Sequence, residues 1–154
     1  MIYNKYGGES NLKRFVVIFL FTKDYKKVLM VKRNKLPYKN CWNGIGGKIE
    51  GNETEIQATI RECYEETNIK LSAPKMFMTC TYPETNQMNK GTELNVLYDF
   101  VDEVVVKSND EGVYEWKDVQ FALDFNNKEL AGFANISQFI KEIFDLEKIK
   151  KFYE

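Results

Sequence analysis

The chain contains no histidine, and that absence removes histidine-based triads, imidazole metal sites and imidazole acid/base chemistry together. Any catalysis must rest on carboxylates, Lys, Arg, Tyr, Cys or a metal ion. Cysteine is scarce as well. Cys41, Cys63 and Cys80 are odd in number and widely, irregularly spaced, which fits neither a disulfide framework nor a zinc motif, so a reducing cytoplasm is the simplest setting. No apolar run approaches the roughly 18 residues needed to span a bilayer. The start, Met1 to Ser10, lacks the basic-then-apolar order of a signal peptide, so a soluble, unexported protein with no membrane partner is expected. Net charge is almost absent too, at −1. With no global field to hold a polyanion, stable nucleic-acid binding is not expected.

What is present suits one globular domain over residues 1–154, with 44% hydrophobic and 29% charged residues. A domain of that size buries roughly two thirds of the surface its unfolded chain exposes, so one hydrophobic core suffices. Arg14 to Thr22 and Val28 to Lys32 read as a hairpin around Lys23-Asp24-Tyr25-Lys26. The polar stretch Asn34 to Asn40 contains Pro37, which argues against a central strand, and Trp42 to Gly47 reads as a glycine-dense loop beside a short strand. Glu53 to Thr67 turns helical, with Ile56, Ile60 and Cys63 as its apolar stripe and Asn52 or Thr54 as its cap. Met76 to Pro83 and Glu93 to Val106 are strand-like, with Asn86 to Gly91 as a turn between them. Val113 to Trp116 is a short strand, Ile136 to Leu146 is a helix, and the basic end from Lys148 is expected to fray. This order predicts an α+β fold, an α/β/α sandwich with a mixed sheet between helices.

The acidic residues of Gly47 to Ile69 are not scattered. At about 100° per residue, Glu62 and Glu66 lie one turn apart, Glu65 lies beside them, and Glu55 falls on the same side earlier in the helix. The helix can thus pack by its apolar stripe and present a ridge of carboxylates at the margin. Like charges at these spacings destabilise an isolated helix by a few tenths of a kcal/mol per pair, so the cluster needs a compensating partner. Hard oxygen donors without imidazole or thiolate suit Mg²⁺, or Mn²⁺ in its place. Arg61 could instead orient a glutamate through its bidentate fork. The plainer reading, a solvated acidic helix face, is weakened by Gly46 and Gly47, which stand just before the helix and allow backbone to approach a ligand closely.

These residues resemble the Nudix signature: Gly, five residues, Glu, seven residues, then Arg-Glu-aliphatic-any-Glu-Glu-any-Gly-aliphatic. The chain supplies Gly47, Glu53, Arg61-Glu62, Cys63, Glu65-Glu66, Asn68 and Ile69. Every charged position matches. Cys63 replaces an aliphatic residue and Asn68 replaces the last glycine; Asn is the non-glycine residue that best tolerates the left-handed conformation of a helix end. The resemblance implies metal ligation by Glu62, Glu65 and Glu66 with the Gly46 carbonyl, and an Arg61 that positions a glutamate. Glu62 is the candidate general base and Glu53 supports the site. Glu111, in the later loop, is either an extra ligand or base, or a solvated loop acid.

The run Trp42-Asn43-Gly44-Ile45-Gly46-Gly47-Lys48 resembles the MutT-like branch of that family. The resemblance implies a small nucleotide as partner, with Asn43 and Lys48 as substrate-contact residues. For Asn43 a turn-stabilising role beside Gly44 stands as the alternative, and for Trp42 the core does. Tyr82, Phe121 and Phe125 are candidate stacking residues, Lys35, Tyr38 and Lys39 candidate phosphate contacts, and Asn126 and Asn127 base readers by position only. The implied reaction is hydrolysis of a nucleoside triphosphate, with 8-oxo-dGTP one candidate, to the monophosphate and pyrophosphate. Nucleotide sugars, ADP-ribose, dinucleoside polyphosphates and a non-catalytic nucleotide-binding role are the alternatives. A monomer or a homodimer paired through strand edges is open.

Overall fold

The computed structural model describes residues 12–83, 91–132 and 134–154, and its spine is strand β1 (Lys13–Thr22). Every residue of β1 from Val16 to Thr22 is buried, because the strand is covered on both faces. Val17, Phe19 and Phe21 enter one core, and Val16, Ile18 and Leu20 enter the other. A continuous rather than alternating apolar run is what such a strand requires.

Along one edge, β1 pairs in parallel with β6 (Thr92–Val101) over its whole length, and β5 (Lys75–Tyr82) adds antiparallel beyond β6. The other edge is shared. β2 (Lys27–Arg33) pairs with β1 only at Leu20–Leu29 and Phe21–Val28, then diverges to pair with β3 (Trp42–Asn43). The vacated length of β1, Phe15 to Ile18, is taken by β4 (Ile45–Lys48), and β7 (Gly112–Asp118) covers the far edge of β2. The glycine-dense segment expected as a loop beside a short strand is therefore two short strands wedged between β1 and β2. A Cβ at Gly46 would strike the Val16 carbonyl, which is why the segment is glycine there.

Helix α1 (Glu55–Thr67) packs through Ala58 and Cys63 on the face of Val16, Ile18 and Leu20. Helices α2 (Val119–Leu123) and α3 (Asn135–Phe152) cover the opposite face through Val119, Ala122, Ile136, Phe139, Ile140 and Ile143. The mixed sheet between helices is thus the expected α/β/α sandwich. The stripe of α1 is rotated from expectation: Ala58, Thr59, Cys63 and Thr67 are buried, while Ile56 and Ile60 are only partly so. Among the described residues, no helix is long and apolar enough to cross a membrane.

Two expected boundaries change, and one helix is added. β6 stops at Val101 rather than Val106, because β1 ends at Thr22 and no strand continues the ladder. The basic end stays helical to Phe152 instead of fraying. Lys150 and Lys151 lie in the last turn, where the helix dipole favours cations, and Lys150 Nζ donates to the Tyr98 hydroxyl at 3.1 Å. Tyr98 in turn bonds the buried Glu147, anchoring that turn to the sheet. Helix α2 was not anticipated, being five residues long and too short for a periodic signal. The stretch Met1 to Ser10 and most of the Asn86 to Gly91 turn lie outside the described residues.

Candidate active site

The ends of α1 are set locally. Thr54, rather than Asn52, caps the start in a reciprocal box: Gln57 N–H donates to Thr54 Oγ1 at 3.1 Å and Thr54 N–H donates to Gln57 Oε1 at 2.9 Å. At the far end Asn68 sits at φ 63°, the left-handed conformation its type was expected to tolerate, and its N–H closes on the Tyr64 carbonyl. Between these caps the helix holds Arg61, Glu62, Glu65 and Glu66 beside β4.

Arg61 is the hub. Its Nε and Nη2 donate to the two oxygens of Glu53 at 2.7 and 2.9 Å, a bidentate clasp, and Nη2 also reaches the Lys48 carbonyl at 3.0 Å. Nη1 donates to Glu62 at 2.9 Å and to Glu65 at 3.3 Å. Glu53, which also accepts from Glu50 N–H at 2.9 Å, therefore supports Arg61, and Arg61 aims Glu62. Hydrogen bonding to Arg61 holds the Glu53 carboxyl below its usual range. Glu62 is pushed the other way: burial raises it, against the pull of Arg61. Gly47 makes this possible, since a Cβ there would fall on the Glu62 carboxyl.

Glu66 is the most perturbed acid. Its Oε2 is shut from solvent with no hydrogen-bond partner. Burial first, then the charges of Glu62 and Glu111, push its pKa up to about 8, against the opposing effects of Arg33 and a backbone hydrogen bond from Gly46. In a strand, the N–H and C=O of one residue lie on the same edge. A Gly46 amide directed at Glu66 therefore sets the Gly46 carbonyl on that side too. The influence of Glu111 on Glu66 brings the later loop to the same place, so that candidate joins the cluster, where it also pairs with Lys35 at 3.4 Å.

Other expectations fall differently. Glu55, placed on the acidic side by its spacing, is drawn to Arg14 at 2.5 Å and takes no part in the cluster. Lys48 contributes its carbonyl to Arg61 while its side chain is exposed. Asn43 Oδ1 accepts Gly44 N–H at 2.8 Å, the turn-stabilising role, which leaves its amide nitrogen as the donor it can offer outward. Trp42 is buried in the core under Lys117, whose Nζ lies 4.2 Å from the ring centre. The Asn127 side chain closes a turn on the Phe121 carbonyl and Glu129 N–H. Sequence reasoning missed Arg33, Asn109 and Tyr114, which surround Glu66 from β2, the β6–β7 loop and β7; no local pattern marks them, because only the β2–β7 pairing brings them to α1.

The profile of the NUDIX domain matches residues 11–135, most of the chain and all of this cluster. The chain belongs to the Nudix family. Its relatives include the dihydroneopterin triphosphate diphosphatase of Haemophilus influenzae, 37% identical over 37% of this chain and 35% of that protein. The ADP-ribose pyrophosphatase of Methanocaldococcus jannaschii is 28% identical over 82% of this chain and 65% of that protein. The matches thus span about a third to two thirds of the length of these curated relatives. A solved MutT protein from Methanosarcina mazei superposes with a TM-score of 0.69 at 22% identity, covering 92% of this chain and 99% of its own, which establishes the shared fold. Nudix hydrolases generally use divalent metals, and the residues fit one: the donors are hard oxygens, and Glu66 Oε2 is buried without a partner. Among the described residues no three acidic side chains already converge as a closed cation site, since Arg61 holds Glu62 and Glu65 to itself.

Proposed function

We propose that this Nudix domain hydrolyses a phosphoanhydride bond in a small nucleoside diphosphate derivative, with Mg²⁺, or Mn²⁺ in its place, held by Glu62, Glu65, Glu66 and the Gly46 carbonyl. The observation that carries the reading is Glu66 Oε2, a buried oxygen without a donor under the charges of Glu62 and Glu111; a divalent cation is the partner that offsets these three carboxylates. When bound, the cation neutralises phosphate charge and lowers the pKa of an attacking water.

The chain's own groups supply the rest. Glu53 clasps Arg61, and Arg61 holds the Glu62 carboxylate in place. Partial burial makes Glu62 more basic than a surface acid, which suits it to take the proton of the attacking water. The water oxygen bonds to phosphorus, the P–O bond to the bridging oxygen breaks, and the leaving phosphate takes the electron pair. Glu111 stands as a further ligand or base from the β6–β7 loop.

For the substrate, the Trp42 to Lys48 run supports a nucleoside triphosphate cleaved to monophosphate and pyrophosphate, with 8-oxo-dGTP first in line. With Oδ1 engaged by Gly44, Asn43 reads a base through its amide N–H donors, which suits a purine carbonyl edge. The relatives named for dihydroneopterin triphosphate and ADP-ribose support the wider class equally. All three cysteines are free thiols, which suits a reducing cytoplasm.

The test is product release with Mg²⁺ over 8-oxo-dGTP, ordinary nucleoside triphosphates, dihydroneopterin triphosphate, ADP-ribose, nucleotide sugars and diadenosine polyphosphates, compared by kcat/KM. Preference for 8-oxo-dGTP that is lost in Asn43→Ala supports the sanitising role. Preference for another member moves the substrate, and no turnover on any of them overturns hydrolysis in favour of binding.

A further inference from the structure

The β6–β7 loop carries Glu111 to the acidic cluster, with its main chain held at the end of β2 by Asn34 N–H at the Glu111 carbonyl and a link to α1 through the Asn109 side chain. Asn109 Nδ2 donates to the main-chain carbonyl of Glu66 at 2.8 Å. Its Oδ1 accepts Glu111 N–H at 2.9 Å and the Tyr114 hydroxyl at 3.3 Å. Its backbone closes the turn by exchanging hydrogen bonds with Gly112, at 3.1 and 3.2 Å. A single amide thus joins the turn containing Glu111 to the helix residue whose carboxylate Glu111 influences. The pairing needs an amide: the donor faces a carbonyl on α1 and the acceptor faces an N–H and an O–H on the loop.

We propose that Asn109 is a positioning residue, which tethers Glu111 to the Glu66 end of α1 so that Glu111 acts as the additional carboxylate of the cation site. This rests on the metal-dependent reading above and assigns a role to a residue that touches neither substrate nor ion. Without the tether the turn's backbone stays on β2, through Asn34 N–H to the Glu111 carbonyl at 2.9 Å and the Arg33–Gly112 pairing, but no other hydrogen bond among the described residues fixes its spacing from α1, and the Glu111 side chain retains Lys35 as a partner.

The measurement is Mn²⁺ affinity of the full chain by titration calorimetry, alongside kcat and KM for whichever substrate is turned over. Asn109→Asp keeps the acceptor that shapes the turn but loses the donor to Glu66, whereas Asn109→Ala loses both. Each is expected to weaken Mn²⁺ about 10-fold, the range seen when groups supporting metal ligands are removed, as is Glu111→Gln. The double variant Asn109→Ala/Glu111→Gln is expected to be no weaker than Glu111→Gln alone, because the two residues act through one contact. A merely structural Asn109 would instead lower Tm in both variants and multiply with Glu111→Gln. Unchanged affinity in Asn109→Asp, or multiplicative losses in the double variant, overturns the proposal. If the wild-type chain binds no Mn²⁺, the metal-dependent reading itself fails; if it binds and Glu111→Gln changes nothing, only this inference does.

Discussion

A carboxylate oxygen closed off from water and from every donor, as in Glu66, is held at a cost in stability that a cation would relieve. In the metal-free protein the folded state keeps Glu66 protonated to about pH 8, while the unfolded chain releases that proton near its ordinary value of 4.5. The folded state therefore binds more protons between these values, and the stability Glu66 contributes is full below about pH 4.5 and lost as pH rises through about 8. Glu66→Gln should remove this pH dependence and raise the metal-free Tm at pH 8.5, while lowering kcat by more than the roughly 10–100-fold typical of supporting groups. Thermal melts across pH and steady-state kinetics check the pair; a variant as active as wild type removes Glu66 from the site.

The two glycines before α1 separate in the same way. Gly46→Ala sets a methyl group against the Val16 carbonyl, rigid backbone inside the sheet, and should cost about 1–3 kcal/mol of stability or more. Gly47→Ala meets only the far end of the Glu62 side chain, which can swing aside. Its melting temperature should stay near wild type while kcat falls steeply, since the displaced group is the one assigned to take the proton. Circular dichroism melts and kinetics on both variants distinguish a packing glycine from a site glycine.

At the scale of elements, α1 places four functional side chains by virtue of where it starts and stops. The helix begins after Thr54, so Glu53 lies outside it and folds back on Arg61 across the first two turns. Asn68 ends it in the left-handed conformation and turns the chain towards β5. Asn68→Gly should retain stability and activity, whereas Asn68→Ala should cost about 1–2 kcal/mol, the penalty of a Cβ in that conformation. Chemical denaturation reads the difference, and equal stability of the two variants would mean that the cap contributes little.

At the scale of the whole molecule, the cluster gathers groups from α1, the β4 strand and the β6–β7 loop, so a cation held there binds the folded chain and not the unfolded one. Saturating Mg²⁺ should therefore raise Tm, by a stabilisation of about 2.7 kcal/mol at a hundred times Kd, and a chelator should reverse it. Glu66→Gln should blunt that shift. A wild-type Tm indifferent to Mg²⁺ and Mn²⁺ would place any metal elsewhere.

The sequence by itself determined the sandwich, the acidic helix and the residue that ends it, because these follow from local periodicity and from residue types with narrow conformational preferences, while the choice of Thr54 over Asn52 as its first cap waited on the structure. The apolar strand Arg14 to Thr22, the spacing of Arg61, Glu62, Glu65 and Glu66, and an Asn68 suited to the left-handed helix end are all visible one segment at a time. Only the tertiary structure decided which carboxylates matter electrostatically. Glu55 shares the spacing of the ridge but is taken by Arg14 on β1, and Glu66 acquires its raised pKa from burial under groups distant in sequence. Likewise the divergence of β2 from β1, which makes room for β4, and the pairing that carries Asn109 and Glu111 to α1 are long-range events. Periodicity along a chain reports which way a residue faces; what it meets there depends on contacts between segments far apart in sequence.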